Sequence, residues 1–242
     1  MTACAATRTF AQAPPLVFTV TTPERAPSHT TLQTFAAVEE RGLALWGGSA
    51  TDFGVGVAIS APRWTIRSIA SMTALPVDGH VRPTFQQVEL VRPALSSGSF
   101  TVAGGGGIRQ DWDGSRVFIG RVLAGSDVGR GRLQGSLVVE RAVSSPVRHD
   151  AADIVTSVGW SRRVGRRISV GAEGIGQDLE GFWDPAEADG GARLLVGPSV
   201  TAESAARTWA ASVIAGPVVH TVPGGRHFGI LASASWMPSL RR

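Results

Sequence analysis

Arg167-Ile-Ser-Val-Gly-Ala-Glu-Gly-Ile-Gly-Gln177 and Ala192-Arg-Leu-Leu-Val-Gly-Pro-Ser-Val-Thr201 decide how this chain is to be read. In the first stretch Ile168, Val170, Ala172 and Gly174 fall on one side. Arg167, Ser169, Gly171, Glu173 and Gln177 fall on the other. The second stretch sets Ala192, Leu194, Val196 and Val200 against Arg193, Gly197, Ser199 and Thr201. Alternation with period two is the mark of a strand with one apolar face. Between the two lies an acidic, turn-rich loop from Asp178 to Gly191. The pattern is a β-hairpin with long arms and a long loop.

The same grammar runs outward in both directions. Alternating segments fall at about Thr34–Trp46, Phe53–Ile59, Trp64–Leu75, Thr84–Arg92, Ser99–Gln110 and Arg116–Gly125. Others fall at about Arg132–Val143, Asp153–Ser161, Arg207–Val219 and Arg226–Met237. Thr84–Arg92 alternates least clearly. With the two arms of the hairpin this makes about twelve segments, within a range of 10–12, and none has a helical period.

Length and connection pattern choose the architecture. Strands of soluble sandwiches average about 5–6 residues, whereas a tilted membrane-spanning strand needs about 9–11; these segments fit the second. The connections at Ala61–Arg63, Arg163–Arg166 and Glu203–Ala205 are tight and follow even-numbered segments. Those around Pro76–Pro83, Ser144–Asp150 and Asp178–Gly191 are longer and follow odd ones. Short turns at one end and long loops at the other characterise transmembrane barrels, and an even count puts both termini at the short-turn end. The expected fold is therefore all-β, an antiparallel up-and-down transmembrane β-barrel of about twelve strands. Residues 31–242 form the single barrel domain, and residues 1–30 form a leader or flexible segment.

In such a barrel the apolar face meets lipid and the polar face lines the lumen. Alternation then makes Arg67, Arg109, Arg121, Glu140, Arg167, Glu173 and Arg193 the lumen-facing candidates. The five arginines favour small anionic solutes, with the two glutamates as partial counter-charges.

Composition excludes several classes. All 23 basic residues are Arg, and Lys, Asn and Tyr are absent, the signature of a GC-rich genome. The formal net charge is +4 with no basic block, so nucleic acid is not an expected partner. A single cysteine, Cys4, rules out a disulfide framework within the chain and a Cys-based metal site. No apolar run approaches the ~18 residues of a spanning helix. Ala11-Gln-Ala13 before Pro14-Pro15 has the small residues of a signal-peptidase site, although Met1–Phe10 is not a full signal sequence. Met-Thr-Ala-Cys4 has the form of a lipoprotein cleavage stub.

Trp46, Trp64, Trp160, Trp209 and Trp236 lie at or near segment ends, where an interfacial girdle belongs. In His227-Phe-Gly-Ile-Leu-Ala-Ser-Ala-Ser-Trp236, Phe228, Ile230, Ala232, Ala234 and Trp236 share one side. This segment resembles the C-terminal strand of bacterial outer-membrane proteins, departing from it by continuing to Arg242. Across about Thr34–Trp236 the chain resembles bacterial outer-membrane β-barrels as a class. The stretches from Gly176 to Pro185 and from Glu187 to Pro198 are similar to parts of barrel proteins of unassigned function. That resemblance implies a bacterial outer-membrane location, with outer-membrane lipid as a partner, and brings no active site with it.

Residues that carry chemistry are sparse. Outer-membrane phospholipases use a His-Ser-Asn arrangement, which a chain without Asn cannot build. Omptin-like proteases use acidic pairs at the rim. Asp111-Trp-Asp113 offers an Asp-x-Asp pair on a predicted outer loop and His149-Asp150 lies on the next one, but the order and spacing of His149-Asp150 depart from the omptin pattern, and Asp-Trp-Asp-Gly is a favourable turn. His29, His80, His149, His220 and His227 are scattered without metal-ligand spacing. Gly104-Gly-Gly-Gly107 has no following Lys and reads as a bend in a barrel wall. The acids Asp178, Glu180, Asp184, Glu187 and Asp189 read as a water-facing loop without calcium-loop spacing. No catalytic residue, metal or cofactor is expected. The expectation is a non-enzymatic outer-membrane barrel, a narrow channel for small solutes or a structural barrel. The alternatives are a barrel-embedded hydrolase using Asp111 and Asp113, or a soluble secreted β-sandwich or β-solenoid binding module.

Overall fold

The computed structural model describes residues 29–39, 51–61, 63–75, 80–144, 152–177, 179–183, 192–205, 208–221 and 227–236. Twelve antiparallel strands close into a ring in which each pairs with its neighbour in sequence and the last returns to the first. They are β1 (His29–Glu39), β2 (Thr51–Ala61), β3 (Trp64–Leu75), β4 (His80–Ser97), β5 (Phe100–Asp111) and β6 (Arg116–Val128). Then come β7 (Gly131–Ser144), β8 (Ala152–Arg163), β9 (Ile168–Gln177), β10 (Arg193–Glu203), β11 (Trp209–His220) and β12 (His227–Trp236). Closure leaves no sheet edge, so every strand has a ladder on both sides. The β-sandwich and solenoid alternatives are thereby overturned.

Turn chemistry sets the polarity of the barrel. After even strands the chain reverses within Gly98–Ser99, Gly129–Arg130, Val164–Arg167 and Ser204–Thr208, and between Ala61 and Trp64. Gly98 and Gly129 hold φ of 56° and 62° in two of the three two-residue turns, a region that side chains with a Cβ rarely enter. After β1, β7 and β9 the connections run to residues 40–50, 145–151 and 178–192, whereas those after β3, β5 and β11 span only 76–79, 112–115 and 221–226, so the longer loop expected around Pro76–Pro83 is short. The chain thus has a short-turn end, where β1 begins and β12 finishes, and a long-loop end.

Two boundaries differ from those expected. β1 begins at His29, ahead of both the expected strand start near Thr34 and the domain boundary at residue 31. β4 runs for 18 residues, well beyond Thr84–Arg92. Its ladder with β3 slips beside Pro83 and its ladder with β5 slips beside Pro93. Proline cannot donate to a ladder and is tolerated at such irregularities, where one extra residue bends the strand. Each slip also inverts the alternation, which is why β4 is faint in the sequence. Cys4, Trp46, His149 and Asp150 lie outside the described residues.

The outer surface is a belt of exposed apolar side chains, among them Val57, Ile66, Leu90, Ile108, Val122, Leu137, Val158, Val200, Val213 and Ile230. An outward belt of this kind is the apolar face that a transmembrane barrel presents. Aromatic residues rim it. Trp64, Phe100, Trp160, Trp209 and Trp236 all stand at the short-turn end, and Trp209 faces Trp236 across the β11–β12 ladder. Phe53, Phe118 and Phe228 stand at the long-loop end. The indole N–H suits the headgroup level, where one edge of the ring is wet.

Candidate functional site: the barrel interior

Inward-facing side chains over much of the wall are almost closed to water, and they divide into two kinds. From β3 to β7 the wall carries charge. Arg67 of β3 faces Glu89 of β4 directly in register, and its Nη2 donates to Glu89 Oε2 at 2.5 Å. Arg121 of β6 reaches the same carboxylate, with Nη2 donating to Oε1 at 2.7 Å and Nε lying 3.1 Å from Oε2. Gln87 adds a third donor, Nε2 to Glu89 Oε1 at 2.6 Å. Glu89, 1% exposed, is therefore clasped between two guanidiniums.

Strand β5 stands between Arg121 and Glu89, and its glycines let the two meet. Gly107 faces Glu89 and Gly105 faces Arg121 in the ladders. A Cβ on Gly107 would press at 2.9 Å on Cα and Cγ of Glu89. The run Gly104–Gly107 is thus a wall element: its inward glycines clear the space over which the ion network crosses β5.

A second cluster lies nearer the long-loop end. Arg109 of β5 donates through Nε to Asp111 Oδ1 at 2.7 Å and through Nη1 to Glu140 Oε2 of β7. Its guanidinium also lies 5.8 Å from the centre of the Phe85 ring. Three arginines and three carboxylates in these clusters answer one another. Desolvated charges are tolerated when each finds such partners.

Arg67, Arg109, Arg121, Glu140 and Arg193 are inward and buried. Glu173 is inward and half-buried on β9, between Gly159 of β8 and Gly197 of β10. Arg167 is not on the lumen wall: it sits in the exposed β8–β9 turn, where its carbonyl accepts the Glu203 N–H at 2.8 Å. The β9 alternation, extended one residue too far, put it on the inward face. Glu89, Gln87 and Asp111 were not among the expected lumen residues, yet they hold the network together. The short spacing Gln87-Val-Glu89 was a usable signal, masked by the irregular β4.

From β9 to β12 the inner wall carries an apolar cluster among polar inward residues such as Glu173 and Arg193. Ile175, Leu195, Ile214, Val218 and Leu231 form one buried cluster. The inward Gly197 and Gly216 face each other here, and a Cβ on either would meet the backbone of the neighbouring strand. The inward wall therefore coils tightly at this side.

Above it, at the long-loop end, a 3₁₀ turn (Leu179–Phe182) folds back onto the wall. The β8–β9 ladder stops at Thr156 and Gly176, so the first residues of β8 run past it. Glu180 fills the gap, its buried carboxylate Oε2 accepting the Ile154 N–H at 3.1 Å. This corrects the water-facing reading of the acidic loop for Glu180. Asp178, Asp184, Glu187 and Asp189 lie outside the described residues.

The rim acids considered for hydrolysis have structural work. Asp111 pairs with Arg109 and closes the β5–β6 turn, its N–H donating to the Ser115 carbonyl at 2.9 Å. Asp113 Oδ1 accepts the Ser115 N–H at 2.8 Å. Gly114 completes the turn with φ of 94°.

No family model matches the sequence, and no curated protein matches it. Among solved structures the fold is similar to the NanC porin, with a TM-score of 0.58 and 7% identity over 85% of this chain and 98% of that one. It is likewise similar to the KdgM porin, with a TM-score of 0.56 and 5% identity over the same shares. KdgM has also been solved in complex with disordered oligogalacturonate, a structure that matches at a TM-score of 0.55 and 6% identity. Identities this low carry the fold. A closed twelve-stranded barrel with an outward apolar belt and aromatic rims is the fold of bacterial outer-membrane β-barrels, porin-like in architecture.

Proposed function

We propose that this protein is a narrow, non-enzymatic channel for small solutes. The observation that carries the reading is the charged inner wall: Arg67, Glu89, Arg109, Arg121 and Glu140 are all buried within a membrane-spanning barrel. Ionisable groups at that depth are costly and mark solute paths more often than scaffolding. The partners held by Asp111 and Asp113 weigh against a hydrolase. Small anionic solutes are the class that inward arginines would take. Arg67, Arg109 and Arg121 already answer to carboxylates, so the anion preference expected of the lumen is modest.

A second reading, a structural barrel, draws on the low water access of the same wall, since twelve strands enclose a lumen that side chains are able to fill. Reconstitution into a planar bilayer separates the two. A channel gives discrete current steps and a modest anion-selective reversal potential in a salt gradient. A correctly assembled barrel that gives no steps is structural, and steps without anion preference remove the anionic solute.

A further inference from the structure

We infer that the outer wall carries a binding site for a membrane lipid whose headgroup is a phosphate monoester, built by Arg116 of β6 and Arg141 of β7. The charged residues on the outward strand faces are the starting observation. Among the described residues of β2–β12 they are Arg92, Arg116, Arg141 and Arg162, all exposed, and no acid stands with them. The carboxylates Glu89, Asp111, Glu140 and Glu173 all project inward. Arg116 and Arg141 enter none of the ion pairs among the described residues, so both guanidiniums face outward with their charge unanswered.

The two arginines are placed to share one ligand. Arg141 stands opposite Phe118 in the β6–β7 ladder, and Arg116 precedes Phe118 by two residues on the same face, across the register slip beside it. Diagonal cross-strand neighbours of this kind are within reach of one another's long side chains. A guanidinium fork matches phosphate oxygens in geometry, and two forks match the charge of a monoester, which approaches −2 at neutral pH. A phosphodiester, with one charge, would leave one fork in excess. Both residues stand at the long-loop end, where β6 begins and β7 finishes, level with the aromatic rim at Phe118. Long loops lie outside in barrels of this class, so the leaflet addressed is the outer one.

Deeper in the membrane the apolar belt is notched beside the pair. Gly106 and Gly120 face each other on the outward side of the β5–β6 ladder, with Gly104 two residues further along β5. A Cβ on Gly104 or Gly120 would meet nothing nearer than a carbonyl oxygen at 3.9 Å, so the wall itself does not call for glycine at either position. The exposed side chains of Ile108, Phe118, Val122 and Val139 border this strip. It leaves room for an acyl chain running inward from the two guanidiniums. The arginine pair carries the assignment, and the strip favours a lipid over a soluble phosphate.

The site lies on the outer surface and stands whether or not the barrel conducts. Its test uses the full chain in an uncharged detergent, with the unheated gel band as the check of assembly and native mass spectrometry to count bound lipid. The probes are phosphatidate, a phosphate monoester, and phosphatidylglycerol, a diester. One saturable phosphatidate, held more tightly than phosphatidylglycerol, is expected. Arg116→Gln and Arg141→Gln should each weaken it about five-fold, and the two together about thirty-fold. Arg116→Lys with Arg141→Lys keeps the charge and loses the forks; its affinity should fall between, and it serves if the glutamine pair fails to assemble. Arg162→Gln, at the opposite interface, should leave the first phosphatidate unchanged. Affinity equal in wild type and both paired variants, or lowered as much by Arg162→Gln, overturns the site. So does displacement of phosphatidate by an equal concentration of inorganic phosphate, which would make the pair an anion site indifferent to the membrane.

Discussion

The two halves of the inner wall solve one problem in opposite ways. From β3 to β7 the inward row is held by charge, with Arg67, Glu89 and Arg121 in one cluster and Arg109, Asp111 and Glu140 in another. From β9 to β12 it is held by the packing of Ile175, Leu195, Ile214, Val218 and Leu231. Both leave side chains nearly inaccessible to water. The difference lies in what each makes of a lost residue. An apolar wall that loses a side chain keeps a cavity. A charged wall that loses one partner keeps an uncompensated charge, which is worse.

Glu89→Ala is therefore expected to be the most damaging single change. It strands the guanidiniums of Arg67 and Arg121 side by side in the barrel, at a cost of about 3–5 kcal/mol. The readout is the temperature at which the folded band is lost on an unheated-versus-heated SDS gel, and a large drop or failed assembly is expected. Glu140→Gln is the internal control, because Arg109 keeps Asp111 as its second acid. If both variants shift the transition equally, the shared clasp on Glu89 is not what holds this wall.

Ile214→Ala tests the other half. Ile214 is wholly buried at the centre of the apolar cluster, and truncation there should cost about 2–4 kcal/mol through lost contacts and cavity. The gel transition should fall less than for Glu89→Ala and more than for Glu140→Gln. Ala215→Val, on the opposite, outward face of the same strand, is the neutral control and should leave the transition unchanged. A null effect of Ile214→Ala would mean that the β9–β12 wall relaxes freely and is not a packed core.

The rim gives a smaller effect. Trp209 and Trp236 face each other where β11 and β12 meet the short-turn interface. Replacing either with Leu keeps apolar area and removes the indole N–H, so a loss of about 1 kcal/mol or less is expected. Indole fluorescence quenching by headgroup-level and deep-chain quenchers checks the premise: the headgroup-level probe should quench more strongly.

These two walls were unequally legible in the sequence. The lipid-facing row of nearly every strand could be read directly, because outward apolar residues alternate with small or polar ones, as at Ile168, Val170 and Ala172 against Ser169, Gly171 and Glu173. That alternation, with the short turns after even strands, was enough for the barrel and its polarity. It also placed Arg67, Arg109, Arg121, Glu140, Glu173 and Arg193 inward. Where the inner wall is itself apolar, contrast between faces fades. Val213-Ile214 and Ile230-Leu231 are adjacent apolar pairs whose inward member no alternation distinguishes. Glu89 was hidden for another reason: Pro83, Pro93 and the slips beside them break the phase of β4. Arg167 was misplaced because a strand's end is set by its turn, and Val164–Arg167 turns before the alternation does. Asp111 was read for its turn, and its side chain does a second task that spacing does not announce. Glu180 and Gln177 were visible as polar residues in a polar stretch, but only the return of the 3₁₀ turn onto β8 shows that both are buried.

The smallest predicted effect concerns Glu173, which belongs to neither kind of wall. It projects inward from β9 with Gly159 and Gly197 as its ladder neighbours, so no adjacent side chain of β8 or β10 shields it. Glu89, Asp111 and Glu140 each have an arginine partner, whereas Glu173 has none among the described residues. A half-buried carboxylate without a counter-ion repels anions along the path that the channel reading assigns to them, and does so more strongly than an exposed one because the surroundings screen it poorly. Glu173→Gln keeps the shape and removes the charge. Its expected consequence is a shift of the reversal potential toward greater anion preference, with the folded band on the gel unchanged. Glu173→Asp should leave selectivity near that of the wild type. Lower anion preference in the glutamine variant would mean that the carboxylate helps anions by organising the arginines across the lumen, and the division between a charged and an apolar wall would then have to be redrawn with Glu173 in the charged half.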